Sequence, residues 1–148
     1  MVKNPGSIRS FEDLNCWKAC RNLRAFIASD VVPQLPKEER YRLGDQLLRA
    51  ARSSTANIAE DYGRFHYLDN AKFCSNARGS CWEVLDHLIA AADEKLLSDE
   101  LLDRGRKLVG DAVRLLNGYM NYLKRVQNAI PAQNTVTGDT REPITDHK

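Results

Sequence analysis

The sequence predicts an all-α protein, an antiparallel up-down-up-down four-helix bundle. Three observations carry the prediction. Four long segments repeat apolar residues at spacings of three and four, the period of a helix with one buried face. Short connections marked by Pro, Gly or Ser join them, and short connections favour antiparallel neighbours. No stretch alternates apolar and polar residues as a half-buried strand does, and there is no internal repeat.

Residues 1–9, with Asn4-Pro5-Gly6, read as a flexible arm. The first helix opens at Ser10, an N-cap ahead of Glu12 and Asp13, whose negative charge suits the helix dipole. It runs to about Asp30, with Leu14, Trp17, Cys20, Leu23 and Ile27 as its apolar stripe and Phe26 widening it. Lys18, Arg21, Asn22 and Arg24 fall on the outer side. Val31-Val32-Pro33 and Pro36 break the helix. Lys37 to Arg42 reads as a separate short turn, and Gly44 as a place for a kink or close packing.

The second helix ends at Tyr62, with Gly63 as its cap. Its stretch from Arg49 to Arg64 is unusual. Leu47, Ala51, Ser54, Ile58 and Tyr62 form a face of mostly small residues that lets a neighbour come close. Beside it runs a polar stripe of Arg49, Ser53, Asn57, Glu60 and Arg64. Ser53, Ser54, Thr55 and Asn57 give up helix propensity, because such side chains compete for backbone hydrogen bonds. Two readings stay open: a solvated face, or a partly buried polar network that fixes helix register.

Arg64 to Tyr67 reads as a connection, and the third helix as starting near Asp69 and ending near Glu94. Its stripe is Phe73, Ala77, Cys81, Val84, Leu88 and Ala91, with Leu85 and Ala92 beside it. Gly79 costs about 1 kcal/mol relative to Ala in a helix interior, which predicts a close helix crossing there. Trp82 lies off the stripe, towards a different neighbour. Leu96-Leu97-Ser98-Asp99 is a turn with Ser98 as cap. The fourth helix runs from Asp99 to Gln127, with Leu101, Leu108, Val109, Ala112, Leu116, Tyr119, Leu123 and Val126 inside. Arg104, Lys107, Arg114, Lys124 and Arg125 lie outside, and Pro131 ends the helix. Residues 131–148, poor in large apolar side chains, read as disordered. The division is thus an arm over 1–9, a bundle over 10–130 and a tail over 131–148.

A chain of 148 residues is one domain by length and buries a core without disulfides. Its net charge of +2 is too small to announce a nucleic-acid binder. No apolar run approaches the roughly 20 residues that cross a bilayer, and Met-Val-Lys-Asn-Pro-Gly-Ser lacks a signal-peptide core. The expectation is a cytoplasmic protein without membrane partners, its cysteines reduced.

Chemistry is sparse. Glu83 and His87 miss the Glu-x-x-His spacing of di-iron bundles by one residue. Cys16, Cys20, Cys74 and Cys81 lack the tight C-x-x-C spacing of zinc sites and read as buried hydrophobes. Redox sensing is disfavoured because cysteines along one helix do not easily bond across its turns. There is no phosphate-cradling glycine loop and no nucleophile elbow. No catalytic residue, metal ligand or cofactor site is therefore expected. Arg49, Asn57, Glu60, Arg78 and Glu83 are expected to form a polar core or intersubunit network. Arg21, Arg24, Arg52, Arg64, Arg104, Arg106 and Lys107 are the candidate nucleic-acid contacts, blunted by Asp45, Asp61 and Asp103. Tyr41, Tyr62, Tyr67, Trp82 and Tyr119 are more aromatic surface than one slender bundle hides, which predicts an oligomer.

Three blocks resemble the family of small four-helix-bundle proteins encoded within intervening sequences of bacterial 23S rRNA genes. They are Ser10-Phe11-Glu12-Asp13-Leu14 with Trp17-Lys18-Ala19; Arg49-Ala50-Ala51 with Ala56-Asn57-Ile58-Ala59-Glu60 and Gly63-Arg64; and Phe73 with Ala77-Arg78-Gly79-Ser80 and Glu83. Asp61 stands where a glycine is usual, and Ser54 where a proline often follows. The resemblance implies a non-enzymatic homopentamer. Related bundles are accessory proteins of retroelement reverse transcriptases and use basic surfaces for RNA or DNA, so it also implies those partners. The rival readings are a protein–protein adaptor without nucleic-acid affinity and a small metal-dependent enzyme.

Overall fold

The computed structural model describes residues 8–63 and 67–129. Residues 1–7 of the expected arm over 1–9, the tail over 131–148, Pro131 and Arg64 therefore lie outside the described residues, as does most of the connection expected at Arg64 to Tyr67. The described residues form helices and turns without strands.

Ser10 caps a single 3-10 turn, Phe11–Asp13, rather than the α-helix expected there. Its hydroxyl accepts from the Glu12 amide at 3.0 Å. The Asp13 carboxylate turns back to accept from the amides of Arg9 at 3.0 Å and Ser10 at 3.4 Å. That reciprocal box closes one turn. Leu14 is then extended, and helix α1 begins at Asn15 and runs to Phe26. One wide turn, Ile27–Val31, prolongs it before Pro33 in the 3-10 turn Val32–Gln34. The short helix α2, Lys37–Arg40, is the separate turn predicted from its charge.

Helix α3 spans Leu43–Tyr62, α4 spans Tyr67–Asp93 and α5 spans Asp99–Asn128. Gly44 is buried where α3 meets the preceding turns, and a Cβ there would sit 3.4 Å from Val32 Cγ1. Gly63 caps α3 with right-handed backbone, so its conformation is one any residue adopts. Helix α4 closes differently. Lys95 has a φ of 60°, with its amide bonded to Ala92 O at 3.0 Å and the Leu96 amide to Ala91 O at 2.8 Å. That is a Schellman closure with a lysine at the usual glycine position. Ser98 then caps α5 by accepting from Leu101 N at 3.2 Å.

Helices α1, α3, α4 and α5 each pack on two others, in the cycle α1–α3–α4–α5–α1. Cross-helix pairs fix the direction. Ser53 meets Ser80 and Asp61 meets Cys74 across α3 and α4. Arg78 meets Asn117, while Leu88 meets Gly105, across α4 and α5. In each case one number rises as the other falls, so neighbours run antiparallel, as expected.

The predicted stripes are the core. Leu14, Trp17, Cys20, Leu23, Ile27, Leu47, Ala51, Ser54, Ile58, Ala77, Cys81, Val84, Leu88, Ala91, Val109, Ala112, Leu116 and Leu123 are buried. The close crossing expected at Gly79 is not there. Gly79 is exposed, with nothing within 4 Å of an added Cβ. The crossing is at Gly105 of α5, where a Cβ would run into Leu88 Cδ1 and lie 3.5 Å from Phe26 Cε1. Gly105 shares the inner face with Leu101, Leu108 and Ala112, whereas Gly79 lies on the outer sector of α4. No described helix is long and apolar enough to cross a membrane.

Candidate functional site: a buried polar seam and a basic helix face

The serine- and asparagine-rich stretch of α3 becomes a seam of short-range hydrogen bonds. Ser54, fully buried, donates to Ala51 O at 2.7 Å. Thr55 donates to Arg52 O at 3.1 Å and accepts from Arg24 Nη1 of α1 at 2.8 Å. Arg24 is thus half-buried in the α1/α3 groove rather than on the outer side. Asn57 Nδ2 donates to Ser53 O at 2.8 Å and Ser53 Oγ at 3.1 Å. Ser80 Oγ of α4 shares its one proton between Ser53 Oγ at 3.0 Å and Asn76 O at 3.1 Å. Among the described residues no buried side-chain polar atom lacks a partner. Serine and threonine satisfy themselves on their own helix here, which is why they are tolerated inside it.

Beneath this seam lie four reduced, buried cysteines. Cys20 of α1 and Cys81 of α4 face each other across the core, sulfurs 3.7 Å apart. The expectation about redox chemistry considered cysteines along one helix; the close pair joins two. Cys74 donates to the carboxylate of Asp61, itself 1% exposed, at 3.6 Å. Burial, then the neighbouring Cys20, pushes the Cys16 thiol up to about 12. Burial also raises Cys74 well above the ordinary thiol range, with Cys16 and Asp61 adding to it. The hydrogen-bonded Cys20 sulfur, then burial, does the same to Cys81. A buried thiol held protonated is a poor nucleophile and a poor metal ligand. No group of three or more metal-binding side chains gathers among the described residues.

Four of the five residues expected to share a polar network have partners outside it within the chain. Arg49 Nε pairs with Asp45 on its own helix at 3.1 Å, well exposed. Asn57 bonds to Ser53. Arg78 Nη1 donates to Asn117 Oδ1 of α5 at 2.7 Å. Glu83 lies 3.3 Å from His87 Nε2, one turn along α4. Glu60 is exposed on α3.

The candidate nucleic-acid contacts are dispersed over three helices. Arg21 lies over the Trp17 ring at 5.6 Å, and Arg52 is exposed on α3. Arg104 is held by Asp30 at 2.8 Å and covers the Phe26 ring at 5.0 Å. Arg106 and Lys107 are exposed one turn after Asp103. Arg64 lies outside the described residues.

A different basic surface emerges from the antiparallel pairing of α4 and α5. Residues 72–82 and 112–129 carry Lys72, Arg78, Arg114, Lys124 and Arg125 and no Asp or Glu. Residues 83–111 carry Glu83, Asp86, Asp93, Glu94, Asp99, Glu100, Asp103 and Asp111 against Lys95, Arg104, Arg106 and Lys107, and Asp111 pairs with Arg114 at 3.4 Å. Because Arg78 meets Asn117 and Leu88 meets Gly105, these runs are separate places in space. One half of the α4/α5 face is thus net basic and the other net acidic. In the basic half, Ser75, Arg78, Asn117, Met120, Asn121 and Lys124 line a groove.

Aromatic exposure is equally uneven. Tyr41 is 80% exposed, Trp82 50% and Tyr122 54%, while Tyr62 and Tyr119 are half-buried. Ile8, Leu14, Leu115, Tyr119 and Tyr122 line an apolar groove between the start of α1 and the end of α5. Tyr119 and Tyr122 stack there at 6.3 Å.

The model of the 23S rRNA-intervening sequence protein family matches residues 12–118, nearly the whole bundle. The chain belongs to that family. This agrees with the three sequence blocks and with the four packed helices, and family members are small helical proteins. No curated protein matches the chain.

Proposed function

We propose that this member of the 23S rRNA-intervening sequence protein family is a non-enzymatic, self-associating interaction module that binds RNA or DNA through a basic surface. One observation carries the reading: the segregation of charge along α4 and α5. A net charge of +2 spread evenly would hold no phosphate backbone. The same charge sorted so that Arg78, Lys124 and Arg125 lie together, without a carboxylate partner among the described residues, supplies the clustered cations that phosphate binding needs. The acidic half would repel a strand and orient it.

Self-association is supported by the exposed Tyr41 and Tyr122 and by the apolar groove beside Ile8. Aromatic residues at a surface are enriched in interfaces. The ring of five follows from the family resemblance, as does a reverse transcriptase as protein partner. A closed ring would join unlike faces of successive copies.

Light scattering across a size-exclusion peak, with nucleic-acid absorbance read on the same peak, tests both parts. The expected result is a pentamer of the 16.8 kDa chain whose bound or added oligonucleotide is released as salt rises from about 50 to 200 mM. A monomer would overturn the self-association. Absence of salt-dependent binding would leave a protein–protein adaptor as the surviving reading.

A further inference from the structure

We propose that the basic half of the α4/α5 groove seats a single nucleic-acid strand, with Arg78 and Lys124 on its phosphates and Trp82 stacked on a base. This rests on the nucleic-acid reading above and places it at particular atoms.

The groove is lined by Ser75, Arg78, Asn117, Met120, Asn121 and Lys124, so every polar group in it is a cation, an amide or a hydroxyl. Among the described residues no carboxylate pairs with Arg78 or Lys124, in contrast to Arg49 with Asp45 and Arg104 with Asp30. Arg78 is oriented without being neutralised. One N–H is spent on Asn117 Oδ1 at 2.7 Å, which fixes the guanidinium and leaves its other donors for a phosphate. The amides of Asn117 and Asn121 offer donors and acceptors for sugar and base edges.

Ser75, Arg78, Gly79 and Trp82 share one sector of α4, at spacings of three, four and seven. Gly79 leaves that sector open, with nothing within 4 Å of where a Cβ would stand. A mid-helix glycine costs about 1 kcal/mol, and this one has no packing reason among the described residues. It lowers the floor between the arginine and the half-exposed indole. From Lys72 to Trp82 the helix rises about 15 Å, the length of about four nucleotides at duplex spacing. The ring of Trp82 offers a stacking face that an unpaired base can use and a paired base cannot, which favours a single strand over a duplex.

Fluorescence anisotropy with labelled oligouridylate, oligodeoxythymidylate and a duplex of equal length tests the proposal. The variant R78Q/K124Q should bind the single strands about tenfold or more weakly, with a salt slope smaller by about 1.4. The charge-matched variant K37Q/R42Q, on the far end of the bundle, should bind as the unaltered chain does. Bound single strands should quench tryptophan emission in the unaltered chain but not in W82F, since Trp17 is buried. Melting curves of each variant show that the fold survives. Equal weakening by both double variants would overturn the groove while leaving the nucleic-acid reading intact. No binding by the unaltered chain at about 50 mM salt would overturn that reading and this inference together. Tighter binding of the duplex would overturn the single strand. If W82F changed the mass in solution and not the quenching, Trp82 would be a subunit contact and the stacking assignment would fall.

Discussion

At one end of the bundle, Phe26 and Leu88 close around Gly105, and Ile27, Val31, Leu43, Leu47 and Ala91 fill the space between helices. At the other, the buried groups include Asp61, Cys74 and Cys16, with Tyr119 half-buried beside them. The surface reverses the pattern. The α4/α5 face is acidic over the apolar end and basic over the thiol end. The two ends therefore depend on different physics. The apolar end is held by shape, the thiol end by keeping protons in place, and the difference can be broken from either side.

The largest effect should come from alkali. Burial raises the thiols of Cys16, to about 12, and Cys74 in the fold, and burial also raises Tyr119. Above the unfolded thiol value of about 8.5, the unfolded chain binds fewer protons than the folded one, so stability falls as pH rises. Each such thiol contributes about 1.4 kcal/mol per pH unit until its folded value is reached. Cys16 and Cys74 together should remove several kcal/mol by about pH 11, enough to threaten a domain whose whole stability is about 5–15 kcal/mol, while Cys20, lowered by its hydrogen bond to Cys81, offsets the rise of Cys81. Urea midpoints should be level from about pH 6 to 8 and fall beyond about 9. Cys16→Ala should shallow that fall. A midpoint unchanged to about pH 11 would mean that the thiols ionise as freely in the fold as outside it.

The apolar end should break by crowding. Gly105→Val would drive two methyls towards Leu88 and Phe26, and overpacking of this kind costs about 1–3 kcal/mol. Gly79→Ala is the matched change on an open face, and it should stabilise by up to about 1 kcal/mol through helix propensity. Thermal melts of the two variants should move in opposite directions. A gain from Gly105→Val would show that Leu88 yields without cost.

This contrast of two glycines also shows what the sequence disclosed. Apolar period was enough for the four helices and their inner faces, because one-sided burial leaves a 3/4 pattern whatever the partner. It also held the phase of each glycine: Gly105 falls four after Leu101 and three before Leu108, on the inner stripe, and Gly79 does not. The polar partners were hidden for a different reason. Arg49, Asn57 and Glu83 each have a neighbour one turn away on the same helix, and sequence cannot rank that against a partner on another helix. Arg24 sits at a stripe edge, where a long side chain can turn inward to Thr55. The acid-free runs over 72–82 and 112–129 were visible in the sequence. They became one surface only when the antiparallel pairing laid them side by side.

The smallest of these effects sharpens the apolar end instead of breaking it. Lys95 closes α4 with a φ of 60°, a conformation in which a Cβ crowds the following carbonyl. Both closing hydrogen bonds, to Ala92 O and Ala91 O, are made by backbone and do not need the lysine side chain. Lys95→Gly should therefore keep the closure and relieve the strain, a gain of about 1 kcal/mol. In a chain of this size that is a rise in Tm of roughly 2–4 °C. The gain should persist at alkaline pH, where the thiol end fails first, but it should not delay that failure, because α4 closes at the opposite end. A Lys95→Gly variant that resisted alkali better than its gain at neutral pH would show that the two ends unfold as one unit, and that the division between them is one of composition alone.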